Sequence, residues 1–374
     1  MEEYSRIIKY QEKKNFENQR NYGIDLLRML SMLNIIILHI NLYSNQLNLR
    51  VNNKKFKSIW RLEAMSYFAV DCFGLISGIV GYKKYKFANL IYIWINASFY
   101  SSIFSLYLYF INRTNFKYMI LSFFPILICR YWYINAYFKL YLFIPFLNFG
   151  MNNLNKRTYK NLICFYILFF PFYHLIRIIL NVKRKDINFL NNGYSPYWLI
   201  ILYIIGGYLG KYIIINKNKT NAKFAIICTL IYLFSAFISS ESFFILIKKY
   251  NQINNKELLI NYLSPTIISE SLSLIMIFSK LSINNKIVIK IISFYTPLTL
   301  NAYFLHCRLF NEKFISFNWM NKLKPNIICL EIYLLGIIIF FFCVSIDYLR
   351  AILFKYLKIK QFCMIIENKF SKLM

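Results

Sequence analysis

Arg28 and His39 stand eleven residues apart in a stretch that is otherwise almost wholly apolar, GIDLLRMLSMLNIIILHINLY from Gly23 to Tyr43. A helix turns 100° per residue, so eleven steps return the two side chains to within about 20° of one face, about 16 Å apart along the axis. Asp25 lies one turn before Arg28 on the same side. An imidazole can take up a proton near neutral pH, and a guanidinium fork matches a phosphate or carboxylate. Such a stripe suits acid–base chemistry on a substrate with an anionic handle. The plainer reading has Arg28 snorkelling to lipid headgroups and His39 satisfying a neighbouring helix. On a helix long enough to cross a bilayer, however, ionisable groups are expensive and face the bundle interior or a water-filled path. The stripe is therefore read as functional.

Other polar groups interrupt later apolar runs. Asp71 and Ser77 lie in MSYFAVDCFGLISGIVGY, where the carboxylate calls for a cation, several donors or a water-lined chamber. Glu270 is a second acid in an apolar segment opened by Ser264-Pro265. Thr299, Tyr303 and His306 follow one another at spacings of four and three, so they share a helix face. Taken on physics alone, Asp25, Arg28, His39, Asp71, Glu270 and His306 could supply one membrane chamber. The glycine pairs Gly74/Gly78 and Gly206/Gly210 read as close helix packing. Arg130 to Tyr133 read as an interfacial aromatic belt, and His174 as structural.

The elements that must position these groups are membrane helices. Of 374 residues, 58% are hydrophobic and only 16% charged, against about 25% charged in soluble domains. The formal charge of +30 is scattered over short loops between apolar segments. That pattern suits contact with anionic lipid rather than nucleic acid. The eight cysteines stand mostly singly in apolar segments, with no zinc-like pair or array, and no metal is expected. Windows of roughly 20 apolar residues predict ten spans, near 24–43, 64–82, 88–110, 131–148, 160–180, 197–212, 224–245, 262–280, 288–308 and 325–347. The fold class expected is an all-α polytopic membrane protein. It comprises a cytoplasmic leader over 1–22, a membrane domain over 23–348 and a basic cytoplasmic tail over 349–374. Lys83, Lys84, Lys86, Arg157 and Lys219 in the inner loops favour both termini inside.

Five phrases carry a resemblance: GIDLLRMLSMLNIIILHI, VDCFGLISGIVGY, YWYINAYFKLYLFIPFLN, NGYSPYWLI and LTLNAYFLHCRLF. In this order, over roughly Asn21 to Lys355, the chain resembles the membrane acyltransferase 3 family, polytopic proteins that modify bacterial surface carbohydrates. The most specific piece is the arginine-x10-histidine pair with the aspartate and Ser-Gly of the next helix. Those positions fall on Arg28, His39, Asp71, Ser77 and Gly78. The resemblance implies about ten spans, an acyl-CoA cosubstrate with no permanently bound cofactor, and transfer to a hydroxyl of a surface or lipid-linked glycan. It also implies a place in the bacterial cytoplasmic membrane, alongside other envelope-glycan biosynthesis proteins. Two departures stand out. Asn301-Ala302 replaces small or aliphatic residues before Tyr303, and the trailing soluble domain of some relatives is not expected here.

The chemistry expected assigns His39 as general base and Arg28, with Asp25, to the donor. Asp71 pairs with Arg28 or orients His39, while Ser77, Glu270, Tyr303 and His306 are further candidates. Acetyl is the expected acyl group. A polysaccharide transporter, flippase or polymerase is the alternative, and a non-enzymatic membrane sensor a third reading.

Overall fold

The structure is a computed structural model that describes residues 20–82, 85–180, 189–214, 222–250 and 259–371. The leader up to residue 19 and the loop residues Lys83, Lys84 and Lys219 lie outside the described residues. Among the described residues there are helices and no strand, as the apolar runs predict. In chain order they are α1 (Tyr22–Tyr43), α2 (Phe56–Ser66), α3 (Ala69–Gly81), α4 (Phe87–Phe110), α5 (Phe116–Leu121), α6 (Trp132–Asn153) and α7 (Lys156–Ile179). There follow α8 (Pro196–Tyr208), α9 (Ala222–Tyr250), α10 (Pro265–Ser279), α11 (Lys286–Tyr295), α12 (Thr299–Asn311), α13 (Ile328–Tyr356) and α14 (Ile359–Ser371).

Each of the ten predicted windows contains helix. Among the described residues six stretches are long and apolar enough to cross a membrane: Tyr22–Tyr43, Phe56–Gly81, Lys156–Arg177, Ala222–Lys248, Lys286–Asn311 and Ile328–Tyr356. Length and composition thus account for six crossings, not for the full ten. Two windows are not single helices. The second is broken at Tyr67 and Phe68, and the ninth is interrupted by a 3-10 turn at Thr296–Leu298, where Pro297 cannot supply the N–H of a continuing helix.

α1 is the hub. It packs against α2, α3, α10, α11, α12 and α13, and 67% of its apolar window is buried, against 22% for α7 and for α9. The outer helices turn Phe165, Leu168, Phe234 and Phe237 outward, as lipid-facing surfaces do. The start of α1 is pinned twice. The Asn21 side chain accepts from the Ile24 amide and donates at 2.7 Å to the Ser279 carbonyl at the end of α10. Gly23 allows that approach, because a Cβ there would stand 1.9 Å from the Phe278 carbonyl oxygen. Gly78 does the same between α3 and α8, where a Cβ would meet the Tyr203 carbonyl oxygen at 2.1 Å. The packing reading of Gly74/Gly78 and Gly206 follows from these contacts.

Residues read as a basic tail continue α13 as far as Tyr356 and then form α14, which packs on α4. There Glu367 accepts from the Phe87 amide at 2.6 Å.

Candidate active site

The His39 end of α1 faces a cavity of about 530 Å³, within the usual size range for ligand sites. His39, Glu63, Arg130, Tyr303, Cys307 and Asn311 supply its polar wall, while Trp60, Tyr67, Trp132, Tyr133, Tyr194 and Tyr262 make it strongly aromatic. It is bounded by the turn between α2 and α3, the start of α6 and the middle of α12. Exposed Leu42 and Tyr194 stand on its rim.

His39 is joined there by His306, as the shared-face spacing on α12 allows. His39 Nδ1 lies 2.8 Å from His306 Nε2, and His306 Nδ1 lies 2.7 Å from the Ala302 carbonyl oxygen one turn back. A carbonyl can only accept, so His306 Nδ1 carries the proton, and in a neutral ring its Nε2 is a lone pair. His39 Nδ1 then donates to that lone pair, which leaves His39 Nε2 as an unprotonated nitrogen. His306 itself is fully buried, whereas His39 is half-buried on the cavity wall. Tyr303 completes this corner, its ring centroid 6.3 Å from that of His39.

Cys307 Sγ lies 3.8 Å from both His39 Nδ1 and His306 Nε2, so these three atoms form a group that could in principle hold a metal. Two nitrogens bound at about 2.0–2.1 Å in a tetrahedral site would stand roughly 3.3 Å apart. The observed 2.8 Å is a hydrogen bond, and a metal would have to open it.

Arg28 sits nearer the other end of α1, off the cavity wall. Its Nη1 is 3.0 Å from Asp25 Oδ1, and Arg20 pairs with the other oxygen of Asp25. Arg28 keeps 27% of its side-chain exposure and lies within electrostatic reach of Tyr133 and Tyr137 on α6. Tyr133 also lines the cavity and approaches Tyr303, at 6.4 Å between centroids. One side of α1 therefore runs from Arg28 past Tyr133 and Tyr303 to His39.

Asp71 joins neither expected partner. Its Oδ1 accepts from Trp198 Nε1 at 3.0 Å, and its other oxygen is buried without a partner among the described residues. Nearby Glu270 is fully buried, with both carboxyl oxygens unpartnered. The reason is helix rotation: α3 turns this residue toward α8 and α10, while Arg28 is already held by Asp25. Ser77 back-bonds to the Phe73 carbonyl at 2.7 Å, a common resting place for a helical serine. Asn301 lies off the cavity wall, its side chain donating to Asp347 Oδ2 at 3.1 Å. The chamber drawn from six residues is therefore split: His39 lines the cavity with His306 buried against it, while Asp25, Arg28, Asp71 and Glu270 lie off the cavity wall.

Two further residues of the cavity carry no sequence signal for that role. Glu63, 5% exposed, accepts from Asn41 Nδ2 at 2.8 Å through one oxygen. Arg130, in a run that reads as an interfacial belt, lines the cavity instead. Neither shares a helix with His39, so no spacing rule connects them to it.

No curated protein and no solved structure matches the chain. A family model does: the one described as an acyltransferase domain, of the acyltransferase 3 type, matches residues 21–349. That range takes in the hub helix, every wall of the cavity and both histidines, and the chain belongs to the acyltransferase 3 family.

Proposed function

We propose that this acyltransferase moves an acetyl group from acetyl-CoA to a hydroxyl of a surface or lipid-linked carbohydrate, in the bacterial cytoplasmic membrane with both termini inside. The observation that carries the reading is the hydrogen-bonded line from the Ala302 carbonyl through His306 to His39, which ends in a basic nitrogen at an aromatic cavity. A thioester is already activated, so the protein has to deprotonate a hydroxyl and hold its substrates in place. His39 Nε2 takes the acceptor proton as the hydroxyl oxygen attacks the thioester carbon. The C–S bond then breaks, and the proton passes to the departing thiolate. His306 keeps His39 in the tautomer this requires. Arg28, steadied by Asp25, holds polar groups of the donor. The aromatic wall suits the apolar faces of sugar rings, and Glu63 can accept from their hydroxyls. Asp71 and Glu270 act from behind, through the packing of α3 and α10. The donor and acceptor classes come from the resemblance already described, and the cavity supports them by its lining.

The test is a comparison of surface-glycan mass between cells with and without the gene, joined to transfer from radiolabelled acetyl-CoA in purified membranes. Loss of one acetyl increment per modified hydroxyl, with label recovered on glycan, is the expected result. Unchanged glycan composition together with altered export or chain length would replace this reading with a transporter or polymerase.

A further inference from the structure

Among the described residues the cavity wall carries a single arginine. Arg130 leaves a turn in which Cys129 holds a left-handed φ of 49°, an uncommon conformation for a residue with a side chain. Its Nε is buried without a hydrogen-bond partner, and among the described residues no carboxylate pairs with it. Arg308 on α12 lies within electrostatic reach of Arg130, and both lie within reach of the Tyr131 phenol. Arg308 is 1% exposed, with Nη1 2.7 Å from Glu312 Oε1 and Nη2 3.3 Å from Ser105 Oγ. Among the described residues its Nε has no partner, and neither does the buried Tyr131 hydroxyl. Among the described residues Glu312 thus pairs with Arg308 alone, and three buried donors lack an acceptor. A buried donor left unmet carries its full desolvation penalty, so the arrangement is incomplete without a second anion.

We propose that Arg130, backed by Arg308 and Tyr131, forms an anion subsite at the edge of the His39 cavity that takes a phosphate or carboxylate carried by a substrate. The planar fork of Arg130 suits either group, and the neighbouring Trp132 offers a face on which an attached sugar can stack. Glu63, on the same cavity, serves as acceptor for hydroxyls. The substrate is then a polyol bearing one anionic group, or else the phosphate-bearing end of the donor. That the ligand is a substrate rests on the acyl-transfer reading, whereas the subsite rests on the unpaired arginine.

The experiment uses purified full-length protein in detergent and follows tryptophan fluorescence, since Trp60 and Trp132 line the cavity. The probes are inorganic phosphate, glucose 1-phosphate and methyl glucoside. Glucose 1-phosphate is expected to bind roughly tenfold or more tightly than methyl glucoside, equivalent to about 1.4 kcal/mol. Arg130→Gln should bring the two within about threefold of each other and leave the melting temperature unchanged, while Arg28→Gln should keep the preference. Displacement of glucose 1-phosphate by coenzyme A assigns the anion to the donor, and absence of displacement assigns it to the acceptor; the subsite stands in both cases. Equal binding of the two sugars, no saturable binding of inorganic phosphate, or a preference that survives Arg130→Gln overturns it. Running the same titration on His39→Gln separates this failure from that of the transfer reading, because binding needs no turnover.

Discussion

α12 touches two polar islands that lie inside the apolar helices. On one face, Asn301 reaches the buried pair Asp347–Arg350 of α13. There Arg350 Nε lies 2.6 Å from Asp347 Oδ1 and Nη2 2.9 Å from Oδ2. Nη1 bonds Asn96 at 2.9 Å and Tyr92 at 3.2 Å, and Tyr100 donates to Asp347 at 2.6 Å. Every arm of the Asp347–Arg350 pair ends on protein, while the Asn301 Oδ1 is buried without a partner among the described residues. On another face, His306 ends the line that leads through His39 to open space in the cavity. A charged pair met on every side ties α4, α12 and α13 together. An island that keeps a free nitrogen, a carboxylate oxygen and an unpaired guanidinium at a cavity has something left to offer a substrate.

The sharpest way to break this contrast is His39→Gln, which keeps much of the volume but cannot take the proton. Turnover should fall roughly 10²–10⁴-fold, the usual weight of general acid–base catalysis, while melting temperature and donor binding stay near the parent. Near-normal turnover would remove His39 from the chemistry.

In the closed cluster the same kind of change should strike stability instead. Arg350→Met strands Asp347 and is expected to cost about 3–5 kcal/mol, whereas the double variant Asp347→Leu/Arg350→Met should recover most of it. Thermal melting reads the stability, and turnover per folded molecule should remain close to the parent in both. A hundredfold loss of turnover without loss of stability would erase the distinction between the two islands.

Arg28→Lys retains the charge and loses the fork. Its mark should be a rise in donor KM of roughly tenfold, about the worth of one charged hydrogen bond, with kcat changed less. A fall confined to kcat would move Arg28 from donor binding to the transition state.

The smallest effect is expected from His306→Gln. Its amide can still accept from His39 Nδ1, but it does not reproduce the fixed line to the Ala302 carbonyl. Loss of one neutral hydrogen bond, about 0.5–1.5 kcal/mol, corresponds to roughly three- to tenfold in kcat. A loss as large as that of His39→Gln would make His306 the base.

Much of this architecture is legible in the amino-acid sequence. The apolar windows locate every long helix, because the cost of an unpaired backbone in lipid leaves few alternatives to helix. Arg28 with His39, and Tyr303 with His306, are legible because helical periodicity alone puts each pair on one face. Asp347 and Arg350 are within reach of the same rule. They lie three apart in an otherwise apolar run, but a boundary drawn at 348 puts Arg350 in the tail and hides the pair. Glu63 and Arg130 offer no such signal, since each sits on an element whose distance from His39 is set by how helices cross.

The sequence by itself therefore determined the helices, the family and which side chains share a face, since these follow from local periodicity and from matched phrases along the chain. Only the tertiary structure decided that His39 meets His306 rather than Asp71, that Asp71 turns to Trp198, and that Asn301 serves Asp347. Those choices depend on the rotation and crossing of helices far apart in the chain. Close contacts such as Gly23 on Phe278 and Gly78 on Tyr203 set those rotations, and no spacing within a single helix encodes them.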